Sequence, residues 1–232
     1  MTRFNRFAAL LGVALVSTQA HAVDVSFTSG AGLAQSYGNT YTTTTDGLTV
    51  SASAWSNTGR ANQFAQAALT LTPGVGLGVC SSQEKAGCTA KNFADALGNK
   101  GADDLILFTF SSAVTLQSLS MIQFGGDSDL SLWAGAGAFS PAGLKAGLMG
   151  TATLYDNTSN VEGIRDVNLA SFTGSYDWLA VAARIGQNDD FAKLRALTIT
   201  PVAQPVPDAA PWMTMLAGLG LVGFRVSRRR QI

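Results

Sequence analysis

The sequence predicts a mainly β chain: a single antiparallel β-sandwich of jelly-roll type, flanked by an N-terminal signal helix and a C-terminal transmembrane helix. Three observations carry that prediction. Short apolar stretches across the middle alternate with polar residues at period two. Gly, Asn, Asp and Ser separate them, as turn residues separate strands. Charged residues make up only 13% of the chain while Gly numbers 25, a mix that suits short strands better than long surface helices.

The expected organisation is a signal peptide over 1–22, a β domain over 23–203 and a sorting tail over 204–232. Within the β domain, residues 48–55 place Leu48, Val50, Ala52 and Ala54 on one face. Residues 104–110 form a short apolar run that suits a buried strand. Residues 114–124 alternate through Val114, Leu116, Leu119 and Met121 with one slip, which reads as a bulge. Further strands are expected over 130–133, 151–155, 167–172, 178–184 and 194–202. Short helices are expected over 141–149 and 92–97. No internal repeat is visible, and many short strands in one domain favour a sandwich.

The first segment has Arg3 and Arg6, then nine uninterrupted apolar or small residues over 8–16, then Ala20-His21-Ala22. That is a charged region, a short apolar core and an A-x-A cleavage site, so cleavage is expected between Ala22 and Val23. Nine residues rise only about 14 Å as a helix, against a hydrocarbon core of roughly 30 Å. His21 is the single His of the chain and leaves with the signal. A mature chain without His has no Ser-His-Asp or Cys-His mechanism and no ordinary His-containing zinc site.

The tail runs from Pro205, Pro207 and Pro211 into an apolar helix over 211–224, then a basic stop at Arg225, Arg228, Arg229 and Arg230. The prolines keep the approach extended and open to an enzyme, and the Arg cluster stays cytoplasmic. From Trp212 to Phe224 the helix is about 20 Å long, short for permanent residence in a bilayer. This order resembles a PEP-CTERM sorting signal, the bacterial element read by the membrane protease-transpeptidase exosortase. Val206-Pro207-Asp208 matches its motif, 216–221 (Leu-Ala-Gly-Leu-Gly-Leu) its helix, and Arg228 to Arg230 its cluster. Asp208 stands where the family has Glu, and Ala209 where it has a second Pro, which marks a variant subclass. Stretches 50–55, 76–79, 96–104 and 126–130 are also similar to exosortase-dependent surface proteins. The resemblance implies export in a Gram-negative bacterium that makes exopolysaccharide. It implies signal peptidase and exosortase as partners, transient insertion in the inner membrane, and release to the cell surface, matrix or biofilm.

Between Val23 and Pro205 lie nine basic and fourteen acidic side chains, a balance of −5. With no basic run, nucleic-acid binding is excluded. Cys80 and Cys88 are the only cysteines. After export into an oxidising periplasm they are expected to form a disulfide, worth roughly 2–3 kcal/mol for so short a loop. Their spacing is not that of a C-x-x-C redox pair. Asp127 and Asp129, beside Gly125-Gly126, are the candidate Ca²⁺ ligands, since oxygen-rich loops suit that ion; the alternative is turn-forming Asx residues. Asp103-Asp104 and Asp189-Asp190 read as solvated turns. Trp55, Trp133 and Trp178 are candidates for sugar stacking, with a core role the commoner one for strand aromatics. No catalytic residue and no cofactor beyond Ca²⁺ is expected. The leading reading is a non-catalytic surface or matrix protein. The alternatives are a carbohydrate-binding module, Ca²⁺-assisted or not, and a secreted carboxylate-dependent glycoside hydrolase.

Overall fold

The computed structural model describes residues 21–29, 35–36, 38–59, 62–82, 95–124 and 127–203. The signal expected through Ala20, the sorting tail expected from 204 onward, Cys88 and Gly125-Gly126 lie outside them. The described strands are β1 (Val23–Ser26), β2 (Gln35–Ser36), β3 (Thr40–Thr45), β4 (Leu48–Ser56), β5 (Ala65–Gln66), β6 (Ala68–Thr72) and β7 (Gly76–Cys80). They continue with β8 (Leu97–Gly98), β9 (Asp104–Gln123), β10 (Leu130–Gly135), β11 (Thr153–Tyr155), β12 (Gly163–Asn168), β13 (Tyr176–Ala183) and β14 (Phe191–Pro201). All pair antiparallel in one hydrogen-bonded sheet.

Strand β9 organises the rest. Its first part, Asp104 to Phe110, lies between β4 and β13. Its second part, Val114 to Gln123, pairs with β14, and from Ser118 onward with β12 on the other side. The exchange of partners falls on Ser111-Ser112-Ala113. Two expected strands are therefore one, because small residues without a turn signal let the chain continue extended while its neighbours change.

Both halves feed one apolar cluster. Val50, Ala52, Ile106, Phe108 and Val181 come from the first half, and Leu119, Met121, Leu194, Leu197 and Ile199 from the second. Phe27, just after β1, stacks on Phe108 at 5.3 Å between ring centroids. The opposite face of the first half is also covered: Trp55, Phe64, Leu105, Leu107, Trp133, Ala180 and Ala182 form a second cluster. Burial on both faces is why Leu105 to Phe108 must be an unbroken apolar run rather than an alternation.

The slip between Leu116 and Leu119 coincides with a register shift. Ser118 faces Thr198 and Leu116 faces Ile199, leaving Gln117 without an opposite residue. Gln117 turns outward, and its carbonyl accepts the Leu169 N–H at 2.9 Å.

Elsewhere the expectations need correction. The helix expected over 141–149 is a single 3-10 turn at Ala146–Leu148 without a side-chain cap. Gly143 and Gly150 there take positive φ, which ends a helix rather than extends it. Over 92–97, the last residue already belongs to β8, and 92–94 lie outside the described residues. The strand expected over 167–172 starts earlier, as β12, and ends at Asn168; Phe172 N–H then bonds back to the Leu169 carbonyl.

Strands β3, β6 and β7 were not expected, yet their turns are written in the sequence. Asp46 (φ 50°) and Gly47 (φ 78°) form the two-residue turn of the β3–β4 hairpin, and Asp-Gly favours that geometry. Pro73-Gly74, with Gly74 at φ 75°, turns β6 into β7, and Val75 N–H bonds the Thr72 carbonyl at 2.9 Å.

Two glycines separate backbone strain from lack of room. A Cβ at Gly47 meets nothing, so Gly47→Ala should cost only the positive-φ penalty, about 1 kcal/mol. A Cβ at Gly78 collides with the Asp95 carbonyl, so Gly78→Ala should be the more damaging change by urea denaturation.

Candidate functional site

At one end of the sheet, four connections converge on buried carboxylates. Asn99 follows β8, Asp127 to Asp129 join β9 to β10, Asn157 follows β11, and Arg184 to Asp190 join β13 to β14. Asp129 and Asp190 are each about 1% exposed. Isolated ionised groups at that depth are costly unless paired or hydrogen-bonded, and here each oxygen has a partner.

The Asp129 carboxylate accepts Asn157 N–H (2.6 Å) on Oδ1 and the Arg184 guanidinium (2.6 Å) on Oδ2. The Asp190 carboxylate accepts Asp129 N–H (2.8 Å) on Oδ1 and the Asn99 amide (2.5 Å) on Oδ2. Asn99 Oδ1 in turn accepts Asp190 N–H at 3.0 Å. Asn157 donates its side-chain amide to Gln123 Oε1 and Ser128 Oγ, both at 2.8 Å. With its amide nitrogen turned toward the acids, Gln187 donates to both Asp129 Oδ2 (3.2 Å) and Asp190 Oδ2 (3.1 Å). Phe191 N–H to the Asp127 carbonyl (3.0 Å) aligns the two acidic loops.

Asp127, Asp129 and Asp190 bring ligand atoms within 4.8 Å of one another. An all-oxygen set of this kind suits a hard cation. Arg184 already supplies a positive charge to Asp129 and also lies 3.7 Å from Asp156. The group is thus a closed tie between loops whose third acid, Asp127, is half-buried, its carboxylate accepting only the Ser128 N–H among the described residues. Burial pushes Asp190 up to about 6, against the pull of Asp129 N–H and Asn99, with the charges of Asp129 and Asp127 adding to the rise. Burial also raises Asp127.

The sequence pointed to Asp127 and Asp129, and the structure brings them together. It did not point to Asp190, Asn99, Asn157 or Arg184. Asp190 lies 61 residues from Asp129, and no local pattern links them. Two expectations of solvated turns are overturned: Asp104 and Asp190 are buried. Asp104 sits where β4 and β9 pair, opposite Ser56, and Asp190 is drawn in by Asn99. A further buried acid, Asp95, accepts no hydrogen bond on either oxygen among the described residues, and burial raises its pKa against the attraction of Lys193.

Trp55, Trp133 and Trp178 converge on the second apolar cluster. Trp55 and Trp133 are buried, and their indole N–H groups donate to Ser53 Oγ (3.0 Å) and the Gly150 carbonyl (3.1 Å). Trp178 is half-buried. One face lies on Gly135, where no side chain would fit, and Phe139 stacks on it at 4.1 Å. Cys80 ends β7 and is buried. No protein-family model matches the chain, and a comparison with curated proteins finds no match.

The raised acids set a pH dependence. A carboxyl whose folded pKa exceeds its unfolded value binds a proton more tightly when folded. Its contribution is full below about 4 and lost as pH rises through about 6. The melting temperature should therefore carry a component from Asp190 that falls over that interval, and Asp190→Asn should reduce the slope. An unchanged slope in the variant would remove Asp190 as its source.

Proposed function

We propose that the chain is an exported, exosortase-processed surface or extracellular-matrix protein whose mature β domain is non-catalytic. The observation that carries this reading is the order of the tail: Val206-Pro207-Asp208, an apolar helix over 211–224, and the basic stop Arg225, Arg228, Arg229 and Arg230. The A-x-A site at Ala20 to Ala22 supplies the matching entry signal. In this reading the mature domain spans 23–203, and the two halves of the sheet are the layers of a jelly-roll β-sandwich. Their common apolar cluster supports that arrangement. The protein meets signal peptidase and exosortase in the inner membrane of a Gram-negative cell, then remains at the surface or in the exopolysaccharide matrix. The Cys80–Cys88 disulfide belongs to the same route, since it needs an oxidising compartment.

A second reading, Ca²⁺ assistance, is favoured by one observation: three carboxylates from loops distant in sequence share a space of 4.8 Å. A bound ion at a hundredfold excess over its Kd adds about 2.7 kcal/mol. Millimolar Ca²⁺ should then raise the melting temperature of the wild type and leave Asp127→Asn unchanged. Identical melting in Ca²⁺ and in chelator retires this reading.

Intact mass tests the sorting route. Protein released by an exosortase-positive host should lack residues 1–22 and the basic end of the tail, and should gain two hydrogens' mass on reduction. Deletion of Arg228 to Arg230, or Pro207→Ala, should leave the tail in place. Tail removal unaffected by either change, or a tail retained by the wild type, would sink the sorting claim.

A further inference from the structure

The outward face of β3, β4 and β9 carries a continuous strip of hydroxyl groups. The register sets Thr42 beside Ser51, Ser51 beside Thr109, and Thr109 beside Trp178. These four side chains share the face of Trp55 and Leu107, not that of the main core. Across four strands the row is about 14 Å long at the usual strand spacing. A shorter parallel row begins with Thr44 and Thr49. Thr42, Thr44 and Thr109 are exposed.

The hydroxyls are ordered before any partner arrives. Thr42 Oγ1 and Ser51 Oγ are 2.9 Å apart, and Thr44 Oγ1 and Thr49 Oγ1 are 3.0 Å apart. Each such pair uses one proton and leaves the other, with free lone pairs, pointing to solvent. Threonine is stiff at χ1, so little side-chain entropy is lost when a partner docks. At its far end the strip meets the edge of Trp178. That ring is sealed between Gly135 and Phe139, so the half-buried Phe139 supplies the aromatic surface. Asp177 holds the adjoining turn through Gly137 N–H at 2.6 Å.

Charge decides among partners. The domain balance is −5, yet neither row contains a charged side chain. An acidic polymer meets repulsion from the domain and no cation on the strip. A nucleic acid lacks the basic groups it needs. A chain of neutral sugars offers repeated hydroxyls to the strip and apolar ring faces to Phe139.

We propose that the β3–β4–β9 strip, closed at one end by Phe139 on Trp178, is a binding surface for a neutral polysaccharide chain. The proposal deepens the surface-protein reading by naming a partner, and it rests on that reading for the protein to meet a polysaccharide at all.

The test is affinity electrophoresis of the full chain in native gels cast with dextran, mixed-linkage β-glucan or galactomannan, with alginate as the acidic control. Retardation is expected in at least one neutral gel and not in alginate. The triple variant Thr42→Val, Ser51→Ala, Thr109→Val keeps strand-forming, outward-facing residues and should fold as the wild type by circular dichroism. It should lose apparent affinity by about tenfold or more, the scale of one or two lost hydrogen bonds. Phe139→Ala should weaken retention separately.

No retardation in any neutral gel overturns the proposal, as does stronger retention in alginate or undiminished retention of the triple variant. If the triple variant changes only the self-association measured by light scattering, the strip belongs to a second copy of the chain and the proposal falls. The two readings fail separately. Correct tail processing without glycan retardation defeats this proposal alone. Glycan retardation in a protein whose tail is never removed defeats the sorting reading alone.

Discussion

The structure depends on one strand being buried along both faces and then changing neighbours. Through Asp104 to Phe110, β9 lies between β4 and β13 with apolar side chains on each side. Past Ser111-Ser112-Ala113 it lies beside β14, and later β12. A strand shared in this way ties two sets of strands through backbone hydrogen bonds and through one apolar cluster. A turn at 111–113 would separate them. The small residues there allow continuous extension, and the bulge at Gln117 adjusts the twist so that Leu119 and Met121 return to the core.

The polar network at the sheet end follows from the same arrangement. Strands that run antiparallel return their connections to common ends, so loops far apart in sequence meet. Once they meet away from water, their backbone N–H groups need acceptors. Asp129 and Asp190 provide these, and Asn99, Asn157 and Arg184 complete the exchange. Such a network is demanding, because removing one member strands several others. Its energetic logic is a loop tie, and the burial that the tie imposes is what raises Asp190, with the neighbouring carboxylates adding to the rise.

Much of the fold was legible locally. Alternation in β4, the apolar run opening β9 and the slip at Gln117 each left a direct trace, because strand side chains alternate faces at period two. The β3–β4 and β6–β7 hairpins were legible too, through Asp46-Gly47 and Pro73-Gly74, but Thr-rich β3 carries too few apolar residues to announce itself. The site was half legible. Asp127 and Asp129 stood out as neighbours in a Gly-flanked loop, whereas Asp190 looked like an ordinary exposed pair with Asp189. Of that pair, Asp189 is exposed and Asp190 is buried, a difference set by Asn99 some ninety residues away.

The sequence by itself determined the β class, the strand-forming runs, the turn chemistry and the negative balance of the middle, all of which depend on residues near one another in the chain. Tertiary structure alone decided which strands share β9, that Trp55, Trp133 and Trp178 pack on one face, that Thr42, Ser51 and Thr109 align into one row, and that four loops close on two buried carboxylates. Those facts rest on contacts between residues tens of positions apart, and period and composition carry no record of which distant segment will lie alongside.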